Sequence, residues 1–252
     1  MFQTKSPVSS PPFPRCRSTL GRRRYSPLFE SNSSSLSPRC SPSDCSSAAV
    51  RPASRVLTGW KPPLPIRRMS KKACDLIRKQ WHIIVVGEDI PPPIKNFKDM
   101  RFLEPILKML KAKGNVQPTP IQVQGLPVIL SGRDMIGIVF TGSGKTLVFV
   151  LPMIMIALQE EMMMPIIPGE GPFCLIICPS RELARQIYEV IEQFLIPMRE
   201  AGYPELRALL CIGGVDMRSQ LEVVRKGVHC THRCCNSWEV EGHAQLSHFY
   251  RK

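Results

Sequence analysis

An α/β fold built on a parallel sheet is what this chain predicts, and three observations carry the prediction. Apolar runs without strict alternation recur between residues 135 and 212, each followed by a segment of helical spacing. That is the pattern of strands buried on both faces and joined by crossover helices. At one junction, Thr141-Gly142-Ser143-Gly144-Lys145-Thr146 stands between an apolar run and a long apolar helical segment. In a strand–loop–helix setting, such glycines turn backbone N–H groups toward phosphate oxygens. Residues 1–57 differ in kind, with 15 Ser, eight Pro and five Ser-Pro dipeptides. A segment of that composition cannot bury enough apolar area to offset its ordering entropy, so it reads as a disordered tail.

The elements follow in order. Residues 58–96 form a flank. Within it Ser70–Trp81 is predicted helical, with Ser70 as N-cap and Ile77 four residues before Trp81. Pro91-Pro92-Pro93 is a stiff extended linker. Phe102–Lys113 is a helix with Pro105 in its first turn and Gly114 at its end, and Pro120–Leu130 is the next. Then come three strand–helix units: Met135–Phe140 with Lys145–Glu161, Cys174–Cys178 with Ser180–Ala201, and Leu206–Ile212 with Met217–Lys226. The Met triplet at 162–164 belongs to a loop, where it reads as a local packing cluster.

Charge and cysteine usage set broad bounds. Residues 1–58 hold nine Lys/Arg against two acids, residues 59–229 hold 22 against 16, and the remainder three against two. Half of the net charge of +14 therefore sits on the first quarter of the chain. A pI near 9.6 suits a nucleic-acid partner, and charge alone suits a membrane surface equally. Three of the ten cysteines, Cys174, Cys178 and Cys211, lie in apolar runs as small buried hydrophobes do, and no hydrophobic leader opens the chain. A reducing compartment is expected. The longest apolar stretch, Leu147–Leu158, is interrupted by Pro152 and reads as too short to span a bilayer, so no membrane partner is expected. Cys230, His232, Cys234, Cys235, His243 and His248 crowd the last 23 residues, but their spacing fits no standard zinc site.

The chemistry concentrates at the glycine loop. Gly142 and Gly144 free the backbone to bend, Lys145 offers a point charge to β- and γ-phosphates, and the Thr146 hydroxyl suits Mg²⁺. Thr141 and Ser143 complete the loop, while Val139 stands where the general motif wants glycine. Gln122 carries a primary amide that donates and accepts together, matching N6 and N7 of adenine. Pro118-Thr119-Pro120, taken alone, is a rigid turn that starts a helix. Pro179-Ser180-Arg181-Glu182 opens a helix directly after a strand, a place that attracts phosphate and that Ser180 also caps. Gly213-Gly214 is a turn that permits close approach.

Taken together these blocks resemble the N-terminal half of a DEAD-box ATP-dependent RNA helicase of the Abstrakt type, in a plant-like version. Phe97 with Gly114 and Pro118–Gln122, Thr141–Thr146, Pro179–Ala184 and Gly213-Gly214 occur in the family's order, with Asp89–Ile94 upstream. The likeness runs from about Thr58 to His229. It implies a RecA-like P-loop domain across 97–229, with ATP and Mg²⁺ as cofactors. Phe97 would stack on the base, Gln122 would read adenine and Thr119 would support the phosphate loop. Pro179, Ser180, Arg181, Glu182, Gly213 and Gly214 would lie on the RNA sugar–phosphate backbone without reading sequence.

Three departures qualify what the likeness implies. Asn115 replaces an apolar residue, residues 1–57 replace a charged leader, and residues 230–252 follow no family pattern and read as an aberrant tail. After His229 a strand is expected to be missing, and the 252 residues contain neither a Thr-Pro-Gly-Arg block nor the Asp-Glu-Ala-Asp segment. Without acidic Mg²⁺ ligands or the arginine that the family places in a second RecA-like domain, ATP would be bound and not turned over. The expectation is thus a helicase truncated within its first RecA-like domain. The alternatives are a non-catalytic RNA- or protein-binding fragment that competes with an intact helicase, or an unstable product. The family implies a nucleus and spliceosomal partners. The Ser- and Arg-rich first 57 residues also resemble an organelle transit peptide, which would imply a chloroplast.

Overall fold

The computed structural model describes residues 58–168, 172–212 and 217–234. Residues 1–57, Gly213-Gly214, Cys235, His243 and His248, for which the sequence carries expectations, lie outside them. Four helices come first: α1 (Leu64–Arg67), α2 (Lys71–Gln80), α3 (Glu104–Ala112) and α4 (Pro120–Leu130), with a 3-10 turn at Lys98–Met100. Then follow α5 (Lys145–Met163), β1 (Cys174–Cys178), α6 (Arg181–Glu200), β2 (Ala208–Cys211), α7 (Met217–Arg225) and β3 (Cys230–Cys234). The sheet is parallel, in the order β1-β3-β2, with Cys174 and Ala208 both opposite Cys230. Crossover helices between parallel strands are the arrangement the apolar runs implied.

The helices obey local chemistry. Ser70 caps α2 by accepting the Ala73 N–H at 3.3 Å, and Ser180 caps α6 by accepting the Leu183 N–H at 3.2 Å. Pro105 and Pro120 sit in the first turns of α3 and α4, where a missing N–H costs nothing. Helix α5 carries Pro152 in its interior without ending there. It runs 19 residues, past the expected end at Glu161, so that Met162 and Met163 belong to the helix and not to a loop, and by length and composition it is long and apolar enough to cross a membrane. Here it is a core helix: Leu147, Val150, Leu151, Ile154, Met155 and Leu158 are buried among α4, α6 and the sheet.

Two expectations about strands fail, and in opposite directions. Met135–Phe140 forms no strand; Ile136, Ile138 and Phe140 are 92, 89 and 92 % exposed. An extended run becomes a strand only when a neighbour takes its N–H and C=O groups, and none of the three described strands pairs with this one. Conversely, the chain does not lose its fold at His229. Cys230–Cys234 is the central strand, hydrogen-bonded on both sides. His232 and Arg233 break any apolar run here, and position between two apolar strands, more than intrinsic preference, makes it a strand.

The 58–96 flank is part of the same core rather than a separate linker. Trp60 is buried and its indole Nε1–H donates to the Met100 carbonyl at 2.9 Å, while the Thr58 hydroxyl donates to the Leu130 carbonyl. Arg78 on α2 donates from Nε to Gln124 Oε1 at 2.9 Å and from Nη2 to the Pro91 carbonyl at 3.2 Å. Gln124 Nε2 donates to the same carbonyl at 2.9 Å, and the Ile94 N–H to the Val123 carbonyl at 2.9 Å. A buried guanidinium needs such partners. Its network fixes the proline run against α4, and α4 in turn is what holds the glycine loop.

Candidate phosphate-binding site

Helix α4 begins with a reciprocal cap. The Thr119 N–H donates to Gln122 Oε1 at 3.0 Å, so the side chain three residues into the helix closes back on its start. The other end of each side chain reaches the glycine loop. Thr119 Oγ1 donates to the Ser143 carbonyl at 2.8 Å, and Gln122 Nε2 donates to the Gly144 carbonyl at 3.0 Å. Two consecutive loop carbonyls are thereby turned toward α4, which leaves the loop's other side for a ligand. Close packing of α4 on α5 supports this approach. Gly125 sits where an added Cβ would come within 2.7 Å of Val148 Cγ1.

Gly144 is the N-cap of α5 and adopts φ +81°, a conformation that other residues reach only at a cost. A Cβ there would also stand 2.5 Å from Gln122 Nε2. Gly142 has φ +78° with open space around it. Lys145 is the first residue of α5, and its ammonium donates to the Val139 carbonyl at 2.6 Å and the Phe140 carbonyl at 3.1 Å. A cation that rests on backbone carbonyls at the mouth of a helix N-terminus is placed to exchange them for phosphate oxygens. Ser143 Oγ donates to the Phe140 carbonyl at 2.8 Å, closing the turn. Thr141 is exposed, and Thr146 half-buried in the first turn of α5.

These residues fit a triphosphate. The cradle is glycine-lined, a helix dipole and an ammonium face it, and both glycines occupy conformations with φ near +80°. For Mg²⁺ the set is thinner: Thr146 is the hydroxyl candidate, and no three His, Cys, Asp or Glu side chains converge among the described residues.

Two residues expected at a base site stand elsewhere. Phe97 does not face the loop. It is buried beside the 3-10 turn, its ring centroid 6.5 Å from that of Phe102 and tilted by 49°, with Ile94 and Met100 in the same core. Gln122 is 2 % exposed, and both ends of its amide are engaged within the protein. In this conformation it braces the phosphate loop instead of facing a purine. The capping-box signature, Thr119 with Gln three residues later, was the sequence signal for that role.

The second group lies where β1 enters α6. Pro179, Arg181 and Glu182 are exposed, and Ser180 is held by its cap. Sequence reasoning missed a polar cluster at the other end of the sheet. His229 is fully buried; its Nδ1 accepts the Arg207 N–H at 3.0 Å, which leaves Nε2–H to donate to Glu161 Oε2 at 2.9 Å. Burial holds this imidazole below its usual pKa against the pull of Glu161. Glu161 also accepts the Ile166 N–H at 2.8 Å, so one carboxylate ties the end of α5 to the start of β3. A histidine flanked by Val228 and Cys230 was the available signal.

Residues 119–239 match the DEAD/DEAH box helicase family. DEAD-box ATP-dependent RNA helicase 35 of Arabidopsis thaliana is 80 % identical over 174 residues, covering 69 % of this chain and 29 % of that protein. The chain belongs to the DEAD-box helicase family. The fly helicase abstrakt (Drosophila melanogaster) is 52 % identical over 174 residues, covering 69 % of this chain and 28 % of its own length. The chain therefore spans less than a third of either relative. Among solved structures, the yeast DEAD-box splicing factor Prp28 superposes with a TM-score of 0.59 at 23 % identity, covering 72 % of this chain and 41 % of that one. Prp28 from Chaetomium thermophilum, solved with ADP bound, gives 0.56 at 28 % identity over 69 % of this chain and 40 % of that one. The parallel sheet and its helices are thus RecA-like. The family match runs on through β3, beyond the point where the likeness was expected to end.

Proposed function

We propose that this DEAD-box segment binds ATP with Mg²⁺ at Thr141–Thr146 and RNA at Pro179–Glu182, and that a polypeptide of these 252 residues holds the nucleotide without hydrolysing it. The observation that carries the reading is the braced loop. Thr119 and Gln122 fix the Ser143 and Gly144 carbonyls while Lys145 stands at the N-terminus of α5 with only backbone carbonyls to leave. Thr146 would contribute a hydroxyl to the metal, with phosphate and water completing its shell. Gln122 is buried with Nε2 on the Gly144 carbonyl, so on this reading its amide turns outward to reach adenine, and nucleotide entry and loop position are coupled through it. Phe97 can reach a base only by leaving its place beside Phe102.

The absence of turnover follows from what phosphoryl transfer demands. Acidic groups must hold Mg²⁺ and orient water before phosphoryl transfer can proceed. The 252 residues contain no Asp-Glu-Ala-Asp segment. RNA contact at the start of α6 would be sequence-blind and steeply salt-dependent. Two relatives in fold are Prp28 proteins, one described as a splicing factor, which favours spliceosomal partners; a nuclear location rests on the family resemblance alone.

The test is thermal stabilisation of the 252-residue chain by ATP·Mg²⁺, which Lys145→Ala should abolish. At a hundredfold excess over Kd the expected stabilisation is about 2.7 kcal/mol. No shift in a sample that melts cooperatively would overturn ATP binding. Brisk RNA-stimulated phosphate release would overturn the catalytic half.

A further inference from the structure

The ladder between β1 and β3 places cysteines opposite one another on two rungs, Cys174 with Cys230 and Cys178 with Cys234. Paired residues of neighbouring strands lie about 4.8 Å apart and project to the same face, inside the 4.4–6.8 Å that a disulfide bridges between Cα atoms. On the first rung the two thiols are paired across the ladder and act on each other: Cys230 lowers the Cys174 pKa by hydrogen bonding toward it, and Cys174 raises that of Cys230. The two differ in access. Cys230 is buried, whereas Cys174 is half-buried, with its sulfur 4.0 Å from the Met153 carbonyl oxygen. Neither takes part in the nucleotide or RNA sites.

We propose that Cys174 and Cys230 are a redox modification site: a hydroperoxide oxidises Cys174, and Cys230 resolves the product into a reversible cross-strand disulfide. The hydrogen bond from Cys230 lowers the Cys174 pKa, so thiolate forms on the accessible partner. That thiolate attacks a peroxide oxygen, the O–O bond breaks, and the departing hydroxide or alkoxide takes a proton, leaving a sulfenic acid on Cys174. Contact with Cys174, together with burial, holds the Cys230 proton well above the usual thiol range. Once Cys174 is uncharged, that main restraint is gone. Cys230 sulfur then attacks Cys174 sulfur, the S–O bond breaks, and the leaving hydroxide takes the Cys230 proton to form water. Two thiols are oxidised and one peroxide bond is reduced. Excess small-molecule thiol reverses the step by exchange. The bond would pin the edge strand that feeds Ser180 to the centre of the sheet.

The experiment treats the reduced, native 252-residue chain with one equivalent of hydrogen peroxide, alkylates the remaining thiols, and digests with trypsin. Cleavage after Lys145, Arg181, Lys226 and Arg233 yields Thr146–Arg181, with Cys174 and Cys178, and Gly227–Arg233, with Cys230. The expected result is these two peptides joined and two hydrogens lighter than the reduced pair, with fragment ions locating the bond at Cys174. Cys178→Ala should retain the joined species and Cys174→Ala lose it. The same treatment in urea serves as reference, so the wild-type readout stands even if a variant fails to fold. The proposal is overturned if Cys174 and Cys230 are both recovered alkylated, if the bond maps to Cys178, or if the pairing is no more frequent than in urea.

Discussion

Met135–Phe140 and Cys174–Cys178 are close to interchangeable as sequence, yet only one of them is a strand. Each is a short apolar run, and each is followed by a turn and a helix capped by a small residue, Gly144 or Ser180. β1 meets β3 along its whole length, whereas Met135–Phe140 meets no described strand. The outcome is visible in the side chains. Cys178 at the end of β1 is buried, while Ile136, Ile138 and Phe140 face outward. What separates the runs is a neighbour, because an extended backbone gains little until another strand takes its N–H and C=O groups. Even β1 shows the limit of one neighbour. Leu175 and Ile177 share a face with Leu209 and Cys211, which pack under α7, but they lie beyond that cover and stay more than half exposed.

Proline separates the two backbones most sharply. Thr231→Pro would remove a ladder N–H from the central strand and leave a buried acceptor without its donor, costing roughly 3 kcal/mol or more. The same change at Ile138 removes an N–H that serves no ladder, and its effect should stay within about 0.5 kcal/mol. Urea midpoints of the two variants measure the difference. Equal losses would show that the loop-proximal run is a strand after all, and the contrast between the two runs would collapse.

This contrast also explains what could be read from residues alone. β1, α4 and the Ser180 cap were legible because their determinants are local: an apolar run, a proline at a helix start, a hydroxyl three residues from an N–H. Thr119 was legible as loop support only through the family, yet its capping box with Gln122 is local too. The failures are all non-local. β3 was invisible because Cys230-Thr231-His232-Arg233-Cys234 carries no apolar pattern and owes its place to two partners. The positions of Phe97 and Gln122 in this conformation are likewise set non-locally, by Phe102 and by the Gly144 carbonyl.

A smaller effect is expected where the unpaired run ends. Gly144→Ala forces a Cβ into a conformation at φ +81° and to within 2.5 Å of Gln122 Nε2. The cost should be about 1–3 kcal/mol. The Gln122 amide must give way, so ATP-dependent stabilisation should fall with it. Gly142→Ala, strained but with open space around it, should keep more of that stabilisation. If both variants lose ATP binding alike, the brace from α4 does not govern the loop.

His229 tests the strand that did find partners. Its pKa is lowered by burial, so the unfolded chain binds the proton more readily than the folded one. Stability from this group is therefore present above the ordinary value of 6.5 and is lost as pH falls below it. Protonation also sets a second N–H against the Arg207 N–H, which Nδ1 now accepts. Melting temperature should drop between neutral and mildly acid pH in the wild type. His229→Gln, which cannot titrate, should flatten that slope while starting lower.

The least costly change reaches the exposed side chains themselves. Ile136→Thr and Ile138→Thr each remove apolar surface that already faces water, so melting should shift by no more than about 0.5 kcal/mol. The same substitutions in a paired, buried strand would forfeit up to roughly 1.5–3 kcal/mol each, since that is what complete burial of such a side chain is worth. Aggregation should respond where stability does not. A β-prone run with exposed isoleucines and no partner among the described strands is a template for another copy of itself, and threonine keeps the β-propensity while removing the sticky face. Light scattering on warming should therefore begin later in the double variant at unchanged melting temperature. A large loss of stability instead would mean that these two isoleucines are buried in solution, and that Met135–Phe140 has found the neighbour it lacks among the described strands.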